Sequence, residues 1–233
     1  MKWLYIWNDL DLFTHNSKIL EYAYERLQEL ITPISSAVTY KILSIHDYKL
    51  SLSFNLPDCL VAIGTRPHLL LNQLNKKHFH LNINRKHDNL GNSIIIPTHL
   101  NLKEKNIFLS FSNAIHIYED VCVSGETILE LKRLMDMMEI ESKRITIHLF
   151  CANKKNIIKL KSKTGFYFFV YHYMDGNALQ DSTLLCLSDL LFGKLGNKKY
   201  TERRDLLENF FPDRYNEFIN CIFQIHEKWV SYE

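Results

Sequence analysis

The sequence predicts an α/β protein with a mostly parallel sheet flanked by helices. Three observations carry that reading. Short apolar runs at 58–63, 79–83, 115–123, 143–151 and 165–171 alternate with segments of helical period. Two of the runs pass through a tight loop straight into a helix pattern, at 63–68 and at 121–128. Strand and helix therefore alternate from Asp58 to Tyr171, the pattern of βαβ units, whose strands lie parallel.

The chain has 233 residues, room for one domain with additions or for two small ones. Its 28 basic and 26 acidic residues leave a net charge of +2, so charge alone makes no case for a nucleic-acid partner. No apolar stretch reaches membrane-spanning length, and the apolar opening Trp3 to Trp7 stops at Asn8-Asp9. The five cysteines (Cys59, Cys122, Cys151, Cys186 and Cys221) show no CxxC spacing and read as reduced thiols in a cytoplasmic protein. Eleven histidines are present, none in an HExxH-type spacing, so surface and core roles are expected for them.

Three segments follow from the pattern. Residues 1–55 form an αβ preface: a strand over Trp3 to Trp7, a helix from Asn16 or Ser17 to Ile31 that Pro33 ends, and a strand within 36–45. Trp3, Tyr5 and Trp7 read as packing residues. Residues 56–174 form the main sheet. Its first strand breaks at Gly64-Thr65-Arg66-Pro67, a helix is expected over 68–77, and 79–83 is the next strand. The stretch 85–106 is polar and contains Gly91 and Pro97, between strand-like pieces at 93–96 and 107–111, and reads as a hairpin-like excursion. Residues 153–163 carry five lysines; a solvated helix face is the reading, an RNA contact the alternative. Residues 175–233 read as an all-helical cap, with a first helix rich in leucine to Gly193 or Gly196, a second from Thr201 and a third over 212–230.

Chemistry concentrates in Ile115 to Ile128. The strand ends in Glu119-Asp120, the loop is Val123-Ser124-Gly125-Glu126-Thr127, and a helix face follows with Ile128, Leu131, Leu134, Met135 and Met138. Backbone N–H groups and the helix dipole at such a junction favour a phosphate, and hydroxyls add donors. Two carboxylates beside it suit hydroxyls or a metal.

These residues resemble the phosphoribosyl diphosphate (PRPP) motif of the type I phosphoribosyltransferases: a hydrophobic strand, an acidic pair, three variable residues and Ser/Thr-Gly-x-Thr/Ser. The resemblance covers about half of the chain. It implies that Glu119 and Asp120 hold the ribose hydroxyls, and through ribose or water a Mg²⁺ ion, while Val123, Ser124, Gly125, Glu126 and Thr127 bind the 5′-phosphate. It implies that Gly64, Thr65 and Arg66 form the diphosphate loop, with Pro67 and His68 standing where the family often has glycines. Arg85, Lys86, Lys103 and Lys105 would be basic residues of a closing lid. Tyr171, Tyr173 and Asp175 would face the acceptor. Val123 stands where purine-salvage members carry an Asp for the base, which counts against a 6-oxopurine. The implied function is transfer of 5-phosphoribosyl from Mg–PRPP to an unidentified acceptor, with a homodimer as the family's usual partner. The alternative is a phosphoribosyltransferase-like module that senses PRPP or a nucleotide, such as an accessory protein of a bacterial stress or defence cassette.

Overall fold

The computed structural model describes residues 2–31, 38–52, 57, 59–83, 85–87, 93–95, 98–111, 114–177, 182–192 and 204–232. Pro33, Asp58, Gly91, Pro97, Gly193, Gly196 and Thr201 lie outside them. The chain divides into two units: residues 46–86 with 93–178, and residues 1–45 with 87–92 and 179–233.

The first unit is built on five parallel strands: β3 (Leu60–Ile63), β4 (Phe79–Leu81), β7 (Ile115–Cys122), β8 (Ile145–Asn153) and β9 (Tyr167–Met174). Their order is β4-β3-β7-β8-β9, every neighbour parallel. The chain winds one way from β3 through α3 (Thr65–Gln73) to β4. It winds the other way from β7 through α5 (Glu126–Met137) to β8 and through α6 (Lys154–Thr164) to β9. Burial on both sides explains the apolar runs of β3, β7 and β8, whereas β9 leaves Tyr167, Phe169, Tyr171 and Tyr173 exposed along one face. Val61 and Ile63 of β3 pack with Ile128, Leu131 and Leu134 of α5 and with Ile157 and Leu160 of α6, whereas Leu60 and Ala62 pack with Leu71 of α3 and Tyr118.

The excursion after β4 holds a two-stranded sheet, β5 (Arg85–His87) and β6 (Ser93–Ile95), followed by α4 (Leu102–Ser110). The strand expected over 107–111 is thus mostly helix. The reason is local: Asn101 and Glu104 form a capping box, the Glu104 N–H donating to Asn101 Oδ1 at 3.0 Å and the Asn101 N–H to Glu104 Oε2 at 2.8 Å. The segment ahead of α4 is tied to α5. Thr98 N–H donates to Glu130 Oε1 at 2.6 Å, and Arg133 donates to Glu130 and to the Thr98 carbonyl.

The second unit carries a three-stranded parallel sheet in the order β10-β1-β2, from β1 (Lys2–Asn8), β2 (Val38–Ser44) and β10 (Ser182–Cys186). Around it pack α1 (Ser17–Ile31), α7 (Leu187–Phe192), α8 (Arg204–Phe210) and α9 (Tyr215–Val230). Ile19, Ala23 and Leu27 of α1 share a core with Phe218, Ile222 and Ile225 of α9. Tyr5 and Trp7 are buried. The tail is therefore not all helical. Its residues 182–186 pair with β1, Trp3 opposite Ser182 and Trp7 opposite Cys186, and all five are buried. A short fully buried strand has no alternation, so periodicity cannot separate it from a helix. Asp9, wholly buried, accepts from the Ser188 N–H at 2.8 Å and from its hydroxyl, fixing the first turn of α7.

The Arg133 guanidinium, outweighing the cost of burial and joined by the Thr98 N–H, holds the Glu130 carboxyl below the ordinary carboxylate value. A lowered carboxylate pKa adds stability above the unfolded-state value, lost as pH falls through the folded one. Glu130→Gln is expected to cost about 1–3 kcal/mol at pH 7. Its penalty should shrink as pH drops below about 4.3, which urea melts at pH 7 and pH 3.5 would check.

Candidate functional site

In a sheet of this order the winding reverses between β3 and β7. Loops at the carboxyl ends of those two strands diverge there and leave a crevice, the usual ligand position in open α/β sheets. The structure puts both sequence-predicted motifs at that place.

On the β3 side, Gly64 has φ 77° and ψ −176°, a conformation open in practice only to glycine. Nothing lies within 4 Å of where a Cβ would stand. Its N–H donates to the Leu81 carbonyl at 3.1 Å, anchoring the turn to β4. The helix begins at Thr65, not at 68 as expected. Pro67 falls in its first turn, where a missing N–H costs no intrahelical bond, and it is buried. Arg66 consequently leaves from the first turn of α3.

On the β7 side, both acids are buried: Glu119 is 2% exposed and Asp120 5%. They are not the solvated end of a surface strand. Asp120 Oδ1 accepts from the Val121 N–H at 2.7 Å, and Oδ2 accepts from Arg66 Nη1 at 2.8 Å. The two motifs thus meet in an ion pair whose side chains are 10% and 6% exposed. Water screens such a pair little.

Past the acids, Gly125 caps α5 at φ 90°. A Cβ there would come within 2.8 Å of Leu160 Cδ1, so the loop lies directly on α6. The Asn156 amide donates to the Val123 carbonyl. The Gly125 carbonyl accepts from the Ile128 and Leu129 N–H groups at 3.0 and 3.1 Å. The Glu126 N–H points at Ser124 Oγ, 3.5 Å away. Thr127 is buried, Ser124 half-buried and Glu126 exposed.

An aromatic face adjoins Asp120. Tyr118, His148 and Phe169 stack across β7, β8 and β9, with centroids 4.4 and 5.3 Å apart. His116 Nδ1 lies 2.9 Å from His148 Nε2. Burial, then the neighbouring His116, pushes the His148 imidazole down to about 4. Tyr48, on α2 (Ile45–Leu52), packs on Phe150 and Tyr171 at 5.1 and 5.4 Å. Burial, with Tyr118 and Asp120 close by, raises its phenol far above the ordinary value. Tyr48 is a contributor that sequence reasoning missed; no local pattern marks it, because only folding sets α2 beside β7–β9. Asn153 and Asn156, read only as part of a basic connector, are also missed, although an Asn just ahead of a helix start, as at 153, is a capping signal.

The other predicted residues lie on or just beyond β9, on β5 and on α4. Tyr171 is 44% exposed and Tyr173 42% on β9, and Asp175 is exposed just beyond it. Arg85 and Lys86 lie on β5, their side chains outside what the structure describes. Lys103 and Lys105 sit on α4. Among the described residues no group of three or more His, Cys, Asp or Glu is arranged to hold a metal ion, and no helix is long and apolar enough to cross a membrane. All five cysteines are free thiols.

No protein-family profile and no curated protein matches this sequence. Solved structures do resemble it. The APRTase from Giardia lamblia complexed with 9-deazaadenine is 12% identical, over 56% of this chain and 77% of that one, with a TM-score of 0.37. The orotate phosphoribosyltransferase from Aeropyrum pernix is 12% identical, over 55% and 71%, with a TM-score of 0.35. A hypothetical protein from Neisseria gonorrhoeae with bound ppGpp is 11% identical, over 95% and 98%, with a TM-score of 0.42. The first two are type I phosphoribosyltransferases. The fold described above is α/β, with a parallel five-stranded sheet and a second parallel sheet of three strands.

Removing one partner of a buried pair leaves a charge without compensation. Arg66→Met or Asp120→Leu alone should cost about 3–5 kcal/mol, and the double substitution much less than their sum. Guanidinium melts of the full cycle would check this. For His148, a lowered imidazole pKa means that the unfolded chain binds the proton first. Stability should therefore fall as pH drops from 6.5 toward about 4. His148→Phe should flatten that part of the curve in thermal melts at stepped pH.

Proposed function

We propose that this chain is a PRPP-dependent phosphoribosyltransferase that moves 5-phosphoribosyl to an acceptor with loss of diphosphate. One observation carries the reading: Gly64-Thr65-Arg66, the buried acids Glu119 and Asp120, and the loop 123–127 meet at the carboxyl ends of β3 and β7. A ligand with a phosphate at one end, hydroxyls in the middle and a diphosphate at the other matches that row. The helix α5 N-terminus and the Ser124 hydroxyl would take the 5′-phosphate. Glu119 and Asp120 would accept from the ribose hydroxyls. Arg66 would offset charge building on the departing diphosphate.

The donor set fits a magnesium ion carried in with the substrate. Two adjacent carboxylates stand here, and among the described residues no group of three or more is arranged as a cage; magnesium is commonly held by one or two carboxylates plus substrate phosphates. When bound, it would neutralise the diphosphate. The chain's own work is positioning and water exclusion, since the activated sugar would otherwise hydrolyse. Arg66 must exchange Asp120 for the diphosphate as the ligand enters. Asp120 is then released toward the hydroxyls, so neither charge is left without a partner.

A second reading rests on that same pair. Arg66 is already held by a buried carboxylate, and Pro67 offers no N–H to a diphosphate. A module that senses PRPP or a nucleotide needs the 5′-phosphate and ribose contacts and no turnover.

Calorimetric titration with Mg²⁺–PRPP, beside nucleoside monophosphates and ppGpp, is the test, followed by diphosphate release over a panel of bases. Tight PRPP binding with diphosphate release on some acceptor is the expected result. Ser124→Asp, which sets a negative charge at the half-exposed loop, should weaken PRPP binding at least tenfold while the fold is kept. Binding without release on any acceptor would favour the sensor. A wild-type protein that binds none of these ligands would end both readings.

A further inference from the structure

The phosphate loop and the loop after β9 are far apart in sequence but meet on one helical turn. The Asn156 amide donates to the Val123 carbonyl, at the start of the phosphate loop. Asn153, the N-cap of α6 and 1% exposed, uses both ends of its amide. Its Oδ1 accepts from the Asn156 N–H at 3.3 Å, and its Nδ2 donates to the Gly176 carbonyl at 2.9 Å. Next to it, Lys155 Nζ donates to Asn177 Oδ1 at 2.7 Å. The first turn of α6 therefore grips residue 123 with one hand and residues 176–177 with the other.

The chemistry explains these residue types. An anion-binding loop must present N–H groups and turn its carbonyls back; a donor behind the Val123 carbonyl does that. At 153 an aspartate could cap the helix but could not donate to Gly176, and it would bury a charge. Serine and threonine also cap, but their donor and acceptor share one short hydroxyl; asparagine carries an acceptor oxygen and a donor nitrogen on separate atoms, so it can hold the Asn156 N–H and the Gly176 carbonyl at once.

Building on the phosphate-site reading above, we propose that Asn153 and Asn156 are positioning residues that transmit occupancy of loop 123–127 to residues 175–177. Asp175, which the family resemblance sets toward the acceptor, lies in that second loop. A ligand on the phosphate loop stiffens Val123, Asn156 and the α6 first turn, and through Asn153 it orders the loop that faces the acceptor. The donor sugar thus prepares the acceptor side.

The test is hydrogen exchange of the full chain with ribose 5-phosphate as the probe. Wild type should show slowed exchange at 124–127 and also at 175–177. Asn153→Ser keeps a cap acceptor for the Asn156 N–H but cannot reach Gly176. It should keep the slowing at 124–127 and lose it at 175–177. Asn156→Ala should weaken ribose 5-phosphate about tenfold. Slowing at 175–177 that survives in Asn153→Ser would overturn the coupling. So would slowing in wild type confined to 124–127. Absence of slowing at 124–127 in wild type would instead bring down the phosphate-site reading beneath it.

Discussion

The reversal of winding between β3 and β7 is the constraint on which the rest of the first unit depends. A parallel strand needs a crossover, and crossovers are right-handed. Winding toward β4 on one side and toward β8 on the other puts α3 and α5 on opposite faces. The two loops that follow β3 and β7 are thereby left facing one another, with no crossover between them. Arg66 and Asp120 close that gap with a buried ion pair. A pair of this kind contributes little net stability after desolvation, yet it tolerates no single-sided change. It ties the loop after β3 to the end of β7.

The loop 123–127 is shaped from beneath. Gly125 fits its backbone angle, and its missing Cβ also makes room for Leu160. The glycine of the motif therefore serves packing against α6 as well as any close approach of a ligand. With Asn156 on the Val123 carbonyl, α6 supports the loop by an apolar contact and a polar one. The helix read as a basic connector is thus the platform of the site, and its lysines are its outer face.

Beside the crevice the aromatic face is kept neutral. Burial pushes His148 down and Tyr48 and Tyr118 up, so all three carry no charge near neutrality. Neutral rings let Asp120 be the local charge next to Arg66, without a competing phenolate or imidazolium. Tyr171 joins this face through Tyr48 and Phe150 and remains half open, while Tyr173 and Asp175 stand exposed beyond it.

The central strands of the main sheet were legible in the sequence because burial on both faces writes itself as mostly apolar runs, as in Leu60 to Ile63 and, but for Thr146 and His148, Ile145 to Ala152. The acidic pair and the Ser-Gly-x-Thr loop were legible too, since a strand end, a left-handed glycine and a helix start are local events. The segment 182–186 was misread because a buried parallel strand and a buried helix share a composition, and its partner β1 lies at the other end of the chain. The capping box at Asn101 marked a helix that the apolar run at 107–111 concealed. By itself, then, the sequence determined the local pieces: which runs are strands, where α5 begins and which residues bear charge. Only the tertiary structure decided that Arg66 meets Asp120, that Tyr48 lies beside them and that Asn153 joins two loops. Those are contacts between residues far apart in the chain, set by strand order and crossover side, which no window of sequence contains.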